Sequence, residues 1–253
     1  MTAKNYSMIG TGVVHVRKRA ANEGFRDVGN VSALNISAEE EERTLRNYRG
    51  GGGNYAADRQ VSGVTAEITL HDFSPENWEM ALRGTVTEVS AGSVTGEEHT
   101  VYVGAMTPLD YVPDWSDTAN TLTVTKDPGG TATVLTEGTD YETTPTGIRP
   151  LEGGAVQDGD TVGVDYDKHK SAIIHALMGA SPELEIYFEG LNDAQGGMPV
   201  RPHLKRVKLG VPSDLGFISE DFASMSITAD VLYANDAAAG TSPFFDINMQ
   251  RKA

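Results

Sequence analysis

Glu39-Glu40-Glu41-Glu42-Arg43-Thr44-Leu45-Arg46-Asn47-Tyr48-Arg49-Gly50-Gly51-Gly52-Gly53 is the stretch that decides the fold. It separates two strand-like segments, Arg26 to Ile36 and Gln60 to Phe73. In the second, Val64, Ala66, Ile68 and Leu70 share one face, and Gly63, Thr65, Glu67, Thr69 and His71 share the other. One face suits a core and the other suits water or a polar channel. Two long strands joined by a charged arm suggest a protein that grips another copy of itself. Glu39 to Arg43 and Glu42 to Arg46 are i, i+4 pairs with the acid leading, which predicts a helical arm. The four glycines predict a flexible hinge. Guanidiniums hold carboxylates bidentately, so Arg43, Arg46 and Arg49 suit docking across a subunit boundary. Leu45, Tyr48 and Tyr55 would gain apolar burial there.

Outward from the arm, strands continue. Thr11 to Lys18 alternates around Val14 and Val16. Ser74 as N-cap, Pro75 and Glu76 predict a short helix carrying Trp78, Ala81 and Leu82 and ending at Gly84. From about Ser93 to Asp167 the texture changes to short strands between Gly-, Pro- and Asp-rich turns. Candidates are Thr100–Val103, Thr121–Thr125, Thr133–Leu135, Tyr141–Thr143 and Thr161–Tyr166. This predicts a small β insertion of Ig-like character. His169 to Met178, with Ile173, Ile174 and Leu177 on one side, reads as a second helix. Long alternating strands return in Glu183–Leu191, Arg206–Val211 and Phe222–Asn235. In the last, Ser226, Thr228 and Asp230 oppose Met225, Ile227 and Ala229. The expected divisions are residues 1–92, 93–167 and 168–253, the outer two forming one β-sandwich.

The chain has 253 residues and a formal net charge of −16. That balance repels nucleic acid from most of the surface, because binding needs Lys and Arg on phosphates. It is compatible with a surface past which DNA slides. The absence of cysteine removes disulfides, thiol catalysis and thiolate metal sites. The N-terminus lacks an apolar signal core, and no apolar run approaches the roughly 20 residues of a membrane helix.

Signals for chemistry are weak. Gly50–Gly53 has no following Gly-Lys-Ser/Thr, so it is not a phosphate loop. His169 and His175 lack the i, i+4 spacing of a zinc helix. Asp158-Gly159-Asp160 reads as a turn rather than a calcium loop. No serine sits in a Gly-x-Ser-x-Gly elbow. No catalytic, cofactor-binding or metal residue is assigned, and an enzyme is not expected.

Several segments together carry a resemblance. Gly24-Phe25-Arg26-Asp27-Val28-Gly29-Asn30-Val31-Ser32-Ala33-Leu34 leads through the arm into Ala66-Glu67-Ile68-Thr69-Leu70. Later come Ile186-Tyr187-Phe188-Glu189-Gly190, Arg206-Val207-Lys208-Leu209, Phe217-Ile218-Ser219-Glu220-Asp221-Phe222-Ala223-Ser224 and Ser242-Pro243-Phe244-Phe245. Their order resembles the major tail tube proteins of long-tailed, non-contractile bacteriophages. The resemblance implies a β-sandwich with a flanking helix. Its subunits close into rings, usually hexameric, that stack into a hollow tube for the phage genome. It implies a virion protein assembled in the host cytoplasm. Partners would be further copies of the chain, other tail proteins at the tube ends, and DNA passing without specific binding. The segment from about Ser37 to Arg59 would contact the adjacent ring, and the insertion would sit outside the tube. Candidate lumen residues are Thr65, Glu67, Thr69, Ser226, Thr228 and Asp230. The competing expectation, motivated by the insertion, is an Ig-like binding or adhesion module of a virion or cell surface.

Overall fold

The computed structural model describes residues 6–20, 23–116 and 122–251. The chain is mainly β, with one α-helix and one 3-10 turn among the described residues. It forms two compact units. One comprises Met1–Thr85 with Ile174–Ala253, and the other comprises Val86–Ile173. The inserted unit thus begins earlier and ends later than the 93–167 expected.

In chain order the first unit opens with β1 (Gly10–Lys18), β2 (Arg26–Asp27), β3 (Val31–Arg46), β4 (Asn54–Leu70) and α1 (Pro75–Ala81). Next come β5 (Thr85–Val89), β6 (Gly92–Thr100), β7 (Thr107–Pro108), β8 (Thr123–Lys126) and β9 (Thr133–Val134). These are followed by β10 (Tyr141–Thr144), β11 (Gly147–Pro150), β12 (Thr161–Lys168) and β13 (Ser171–His175). The chain ends with β14 (Glu183–Asn192), β15 (Met198–Leu209), β16 (Met225–Val231) and β17 (Phe245–Met249).

The first unit is built on an antiparallel sheet of order β2-β1-β14-β15-β16-β4-β3, with β17 pairing the first half of β15. Period-2 alternation decides its faces. Val64, Ala66, Ile68 and Leu70 of β4 lie beside Met225, Ile227 and Ala229 of β16, all buried. The sheet curls over its own apolar face. Val14 and Val16 of β1 line the same internal void as Ile68 and Leu70 of β4, although three strands separate β1 from β4 in the sheet. One core cluster therefore joins strands from both ends of the order.

The link from β2 to β3 spans this closure. Gly29 stands at φ +83°, and a Cβ there would strike the Asp72 side chain. The strand expected over Arg26–Ile36 is broken here for that reason. Helix α1 begins as expected, with Ser74 accepting from the Asn77 N–H at 3.2 Å and Pro75 at its start. Ala81 is fully buried against the sheet, and Trp78 packs beside it. The left-handed residue after the helix is Arg83 (φ +50°), not Gly84. Gly84 is needed for another reason: a Cβ there would lie 2.6 Å from the His175 carbonyl oxygen.

Two helical expectations are overturned. The arm is not a helix: β3 and β4 stay paired from Val31↔Leu70 to Arg46↔Asn54. The strand ladder satisfies the same backbone groups that a helix would, and both partners are contiguous with a buried sheet that propagates the pairing outward. Gly50–Gly53 is the tip of this hairpin rather than a hinge at its base. All four residues take positive φ, and Asn47 closes the turn by donating its N–H to the Gly53 oxygen at 3.0 Å. The segment His169–Met178 is likewise no helix. Its Ile173 and Ile174 lie in β13, which pairs with β5, as the stiff β-branched pair favours.

The second unit places the sheets β6-β12-β8-β9 and β10-β11-β7 around one core of Val101, Val124, Ile148, Val162, Val164 and neighbours. Thr100–Val103 is not a strand of its own. Its first residue ends β6, which was not expected. Thr121 lies outside the described residues. Asp158-Gly159-Asp160 forms the anticipated turn, with Gly159 at φ +88° and the Asp160 N–H donating to the Gln157 oxygen at 3.1 Å.

Candidate functional site

The distal halves of β3 and β4 form a ribbon that no other described residue covers. Ser37 to Arg46 and Asn54 to Ser62 are exposed throughout. From Glu39 to Arg46 the ribbon runs roughly 25 Å at strand rise. Two-stranded ribbons exposed on both faces are marginal in water. This one is continuous with a buried sheet, which holds its root, and it is irregular along its length. The register shifts between Glu39 and Glu40 and again between Leu45 and Arg46. Such bulges bend and twist a ribbon and discourage indiscriminate edge pairing.

Charge is graded along it. Glu39, Glu40, Glu41 and Glu42 occupy the base, and Arg43, Arg46 and Arg49 follow toward the tip. The pairs it makes are Arg43 Nε to Glu41 at 3.4 Å and, across the strands, Arg59 to Glu42 at 3.2 Å. In a strand the acid therefore meets a base two residues on or opposite, not four residues on as helical spacing predicted. Arg46 and Arg49 form no ion pair among the described residues. Leu45, Tyr48 and Tyr55 are exposed beside them, Tyr48 at 84%.

The predicted polar residues converge. Thr65, Glu67 and Thr69 of β4 stand opposite Asp230, Thr228 and Ser226 of β16. Thr69 Oγ1 and Ser226 Oγ are 3.0 Å apart. β3 extends the same face, since Asn35 pairs with Glu67 and Ser37 with Thr65. The result is a three-stranded, hydroxyl-rich surface whose charges on these strands are carboxylates. Lysine enters at its margin, where Lys208 of β15 pairs with Asp230.

The sequence reading missed three features. Asn77 is buried and ties α1 to the closure of the sheet. Its amide nitrogen donates to the Val28 and Asp72 oxygens at 2.8 and 2.9 Å, and its oxygen accepts from Arg26 at 2.7 Å. No sequence pattern distinguishes it from an ordinary third helix residue. The second is the β15–β16 connection, residues 210–224, where Phe217, Ile218 and Phe222 are exposed. Phe217 and Ile218, apolar neighbours among Gly and Pro, were the available signal; Phe222 instead reads as the start of the strand expected over Phe222–Asn235, which begins only at Met225. The third is a partly buried carboxylate in the second unit. Glu97 Oε2 accepts from the Tyr166 hydroxyl at 2.6 Å, and Oε1 accepts from the Asp110 N–H at 2.8 Å with His99 Nε2 at 2.5 Å. Burial pushes the Glu97 carboxyl up, but these hydrogen bonds outweigh it and hold the group below its usual range. Burial, then donation to Glu97, pushes the Tyr166 phenol upward. Glu97, His99 and Asp110 lie close enough to suggest metal ligation. Both Glu97 oxygens are already committed to protein partners, and the cluster fastens Asp110 and Tyr111 to β6 and β12.

A family model matches residues 7–248 of the chain. The chain belongs to the family of proteins of unknown function UCP028589. The matched span contains the ribbon, the polar sheet face and the inserted unit. No curated protein matches the chain. Among the described residues no helix is long and apolar enough to cross a membrane.

Proposed function

We propose that this chain is a structural subunit of a hollow tube, of the kind formed by the tail tubes of long-tailed bacteriophages, and that DNA passes through its assembled lumen. The observation that carries this reading is the ribbon. It is long, exposed on both faces, graded in charge and tipped with unburied Leu45, Tyr48 and Tyr55, all features that a neighbouring copy would cover. The outer edge of β3, unpaired among the described residues, supports the same reading, because closure into a ring removes such edges. The face of Thr65, Glu67, Thr69, Ser226, Thr228 and Asp230 is the one we assign to the lumen. These six residues are hydroxyls and carboxylates, and the cation at the margin, Lys208, stands opposite Asp230, so phosphates meet little to hold them and DNA can slide. In this arrangement the ribbon reaches the next ring and the Val86–Ile173 unit lies outside the tube.

Electron microscopy of the purified protein across a concentration series tests the reading. Rings or hollow tubes are expected, and their symmetry can be counted directly. Uniform monomers at every concentration, with ribbon amides exchanging as fast as unstructured chain, would overturn it. One observation favours a second reading for the inserted unit. It has its own core and its own sheets, as a binding or adhesion module would. Retention of the full chain on a glycan array would support that role; uniform failure to bind would leave the unit a spacer.

A further inference from the structure

The first unit has two different ends. Along the paired strands β4 and β16, Thr65 faces Asp230 at one end and Leu70 faces Met225 at the other. The ribbon leaves the sheet beyond the Thr65 end. The 210–224 loop enters β16 at the Met225 end. About 20 Å of strand separates them, and they cannot meet within one chain.

The loop is anchored at its root and bare at its tip. Leu215 packs on the core, and Phe217 stacks on Trp78 of α1 with ring centroids 6.0 Å apart. Ile218 and Phe222 are nevertheless 97% and 98% exposed. Such a cluster on an anchored loop marks a contact site. Its charges are Asp214, Glu220 and Asp221, with no Lys or Arg between residues 210 and 224. The ribbon tip offers the complement: exposed Leu45 and Tyr48, with Arg46 and Arg49 free of ion pairs among the described residues.

We propose that the β15–β16 loop is the receptor for the ribbon tip of a second copy of this chain. The inference rests on the tubular reading and specifies its axial contact. Apolar burial of Ile218 and Phe222 against Leu45 and Tyr48 supplies the attraction. Arginine forks on Glu220 and Asp221 set the register. A two-fold contact of tip on tip is disfavoured, because it would set arginine against arginine. A reciprocal two-fold of tip on loop would stop at two copies, so a covalent dimer without higher rungs from the Tyr48→Cys/Phe222→Cys variant would overturn the head-to-tail contact. The contact is head-to-tail, and a heterologous contact repeated along one axis builds a filament.

The chain has no native cysteine, so single thiols can be placed cleanly. The variant Tyr48→Cys/Phe222→Cys, treated with a short bismaleimide under assembly conditions, should give a ladder of covalent multimers. A mixture of Tyr48→Cys and Phe222→Cys should give one heterodimer band, and neither alone should give a dimer. Homodimers from either single variant would overturn the head-to-tail geometry. Tubes on the grid with no Tyr48–Phe222 linkage would overturn the loop assignment and leave the tubular reading standing. Absence of the ladder together with absence of tubes from the unsubstituted chain would remove both. A charge exchange gives an independent arm. Arg46→Glu/Arg49→Glu should stop polymer growth, as should Glu220→Arg/Asp221→Arg, and combining all four should restore it. Unchanged thermal unfolding in each variant separates assembly from folding, and polymer growth indifferent to both reversals would overturn the proposal.

Discussion

Replacing Asn77 by Ala isolates the contact that closes the sheet of the first unit. The side chain is 1% exposed and joins three elements: α1, the Val28–Asn30 crossing and the end of β4. Truncation leaves the Val28 and Asp72 carbonyls without these donors and removes the amide oxygen from Arg26. Each neutral hydrogen bond contributes about 1 kcal/mol net, and one to a charged group about 1.5–3 kcal/mol. Partial relaxation and water entry toward half-buried Arg26 offset some of this loss. The expected cost is about 3 kcal/mol. For a unit of this size each kcal/mol moves the melting midpoint by roughly 2–4 °C, so a fall of about 6–12 °C follows. Differential scanning calorimetry of the full chain is the assay. The transition of the first unit should move, while that of the Val86–Ile173 unit, which has a separate core, should hold. A fall below about 2 °C, or an equal fall of both transitions, would refute the claim that Asn77 is the tie holding α1 across the closure.

Tyr166→Phe removes the hydroxyl between Glu97 and the Tyr111 N–H. It should destabilise the inserted unit by about 1–3 kcal/mol through an orphaned carboxylate oxygen, seen as a shift of that unit's calorimetric transition alone. Stability should also fall in acid. The Glu97 and Glu183 carboxyls are both held below their usual 4.5, the second chiefly by hydrogen bonds from Arg206. A depressed carboxylate contributes its full stability above the unfolded value and loses it as pH drops through the folded value. Melting midpoints should therefore be flat above about pH 5.5 and decline steadily below pH 4.5, and a midpoint that rises in that acid range contradicts the assignment. Arg43→Glu/Arg46→Glu/Arg49→Glu should leave the melting profile within about 0.5 kcal/mol of wild type, as exposed charges do, yet abolish tubes by negative-stain microscopy. Normal-length tubes from it would make the ribbon's guanidiniums dispensable.

Much of the sheet was legible because its signal is local. Val64, Ala66, Ile68 and Leu70 announce a buried face by period alone, and Ser74-Pro75-Glu76 announces a helix start by capping chemistry. The two errors have one cause. Glu39/Arg43 and Ile173/Ile174/Leu177 satisfy helical spacing, but spacing of four is also an even number. It places Glu39 and Arg43 on one face of a strand as well; Ile173 and Ile174, one apart, take opposite faces of β13, and there the β-branched pair itself favours a strand. What decides between the periods is whether a paired strand is available, and that partner lies outside the window: Gln60 and Arg59 for the arm, β5 for Ile173. A charge pattern on an exposed ribbon has no buried face to disambiguate it, so the arm was the segment most open to this confusion. The correction strengthens the functional reading. A helical arm on a glycine hinge would search for its partner freely and lose that freedom on docking. A ribbon hydrogen-bonded from Val31 to Arg46, with the glycines confined to its tip, is already ordered before it meets anything. Preorganisation of this kind lowers the entropy lost on association. It also fixes the end of the molecule from which Tyr48 and the arginines project, which a hinged arm would leave undetermined.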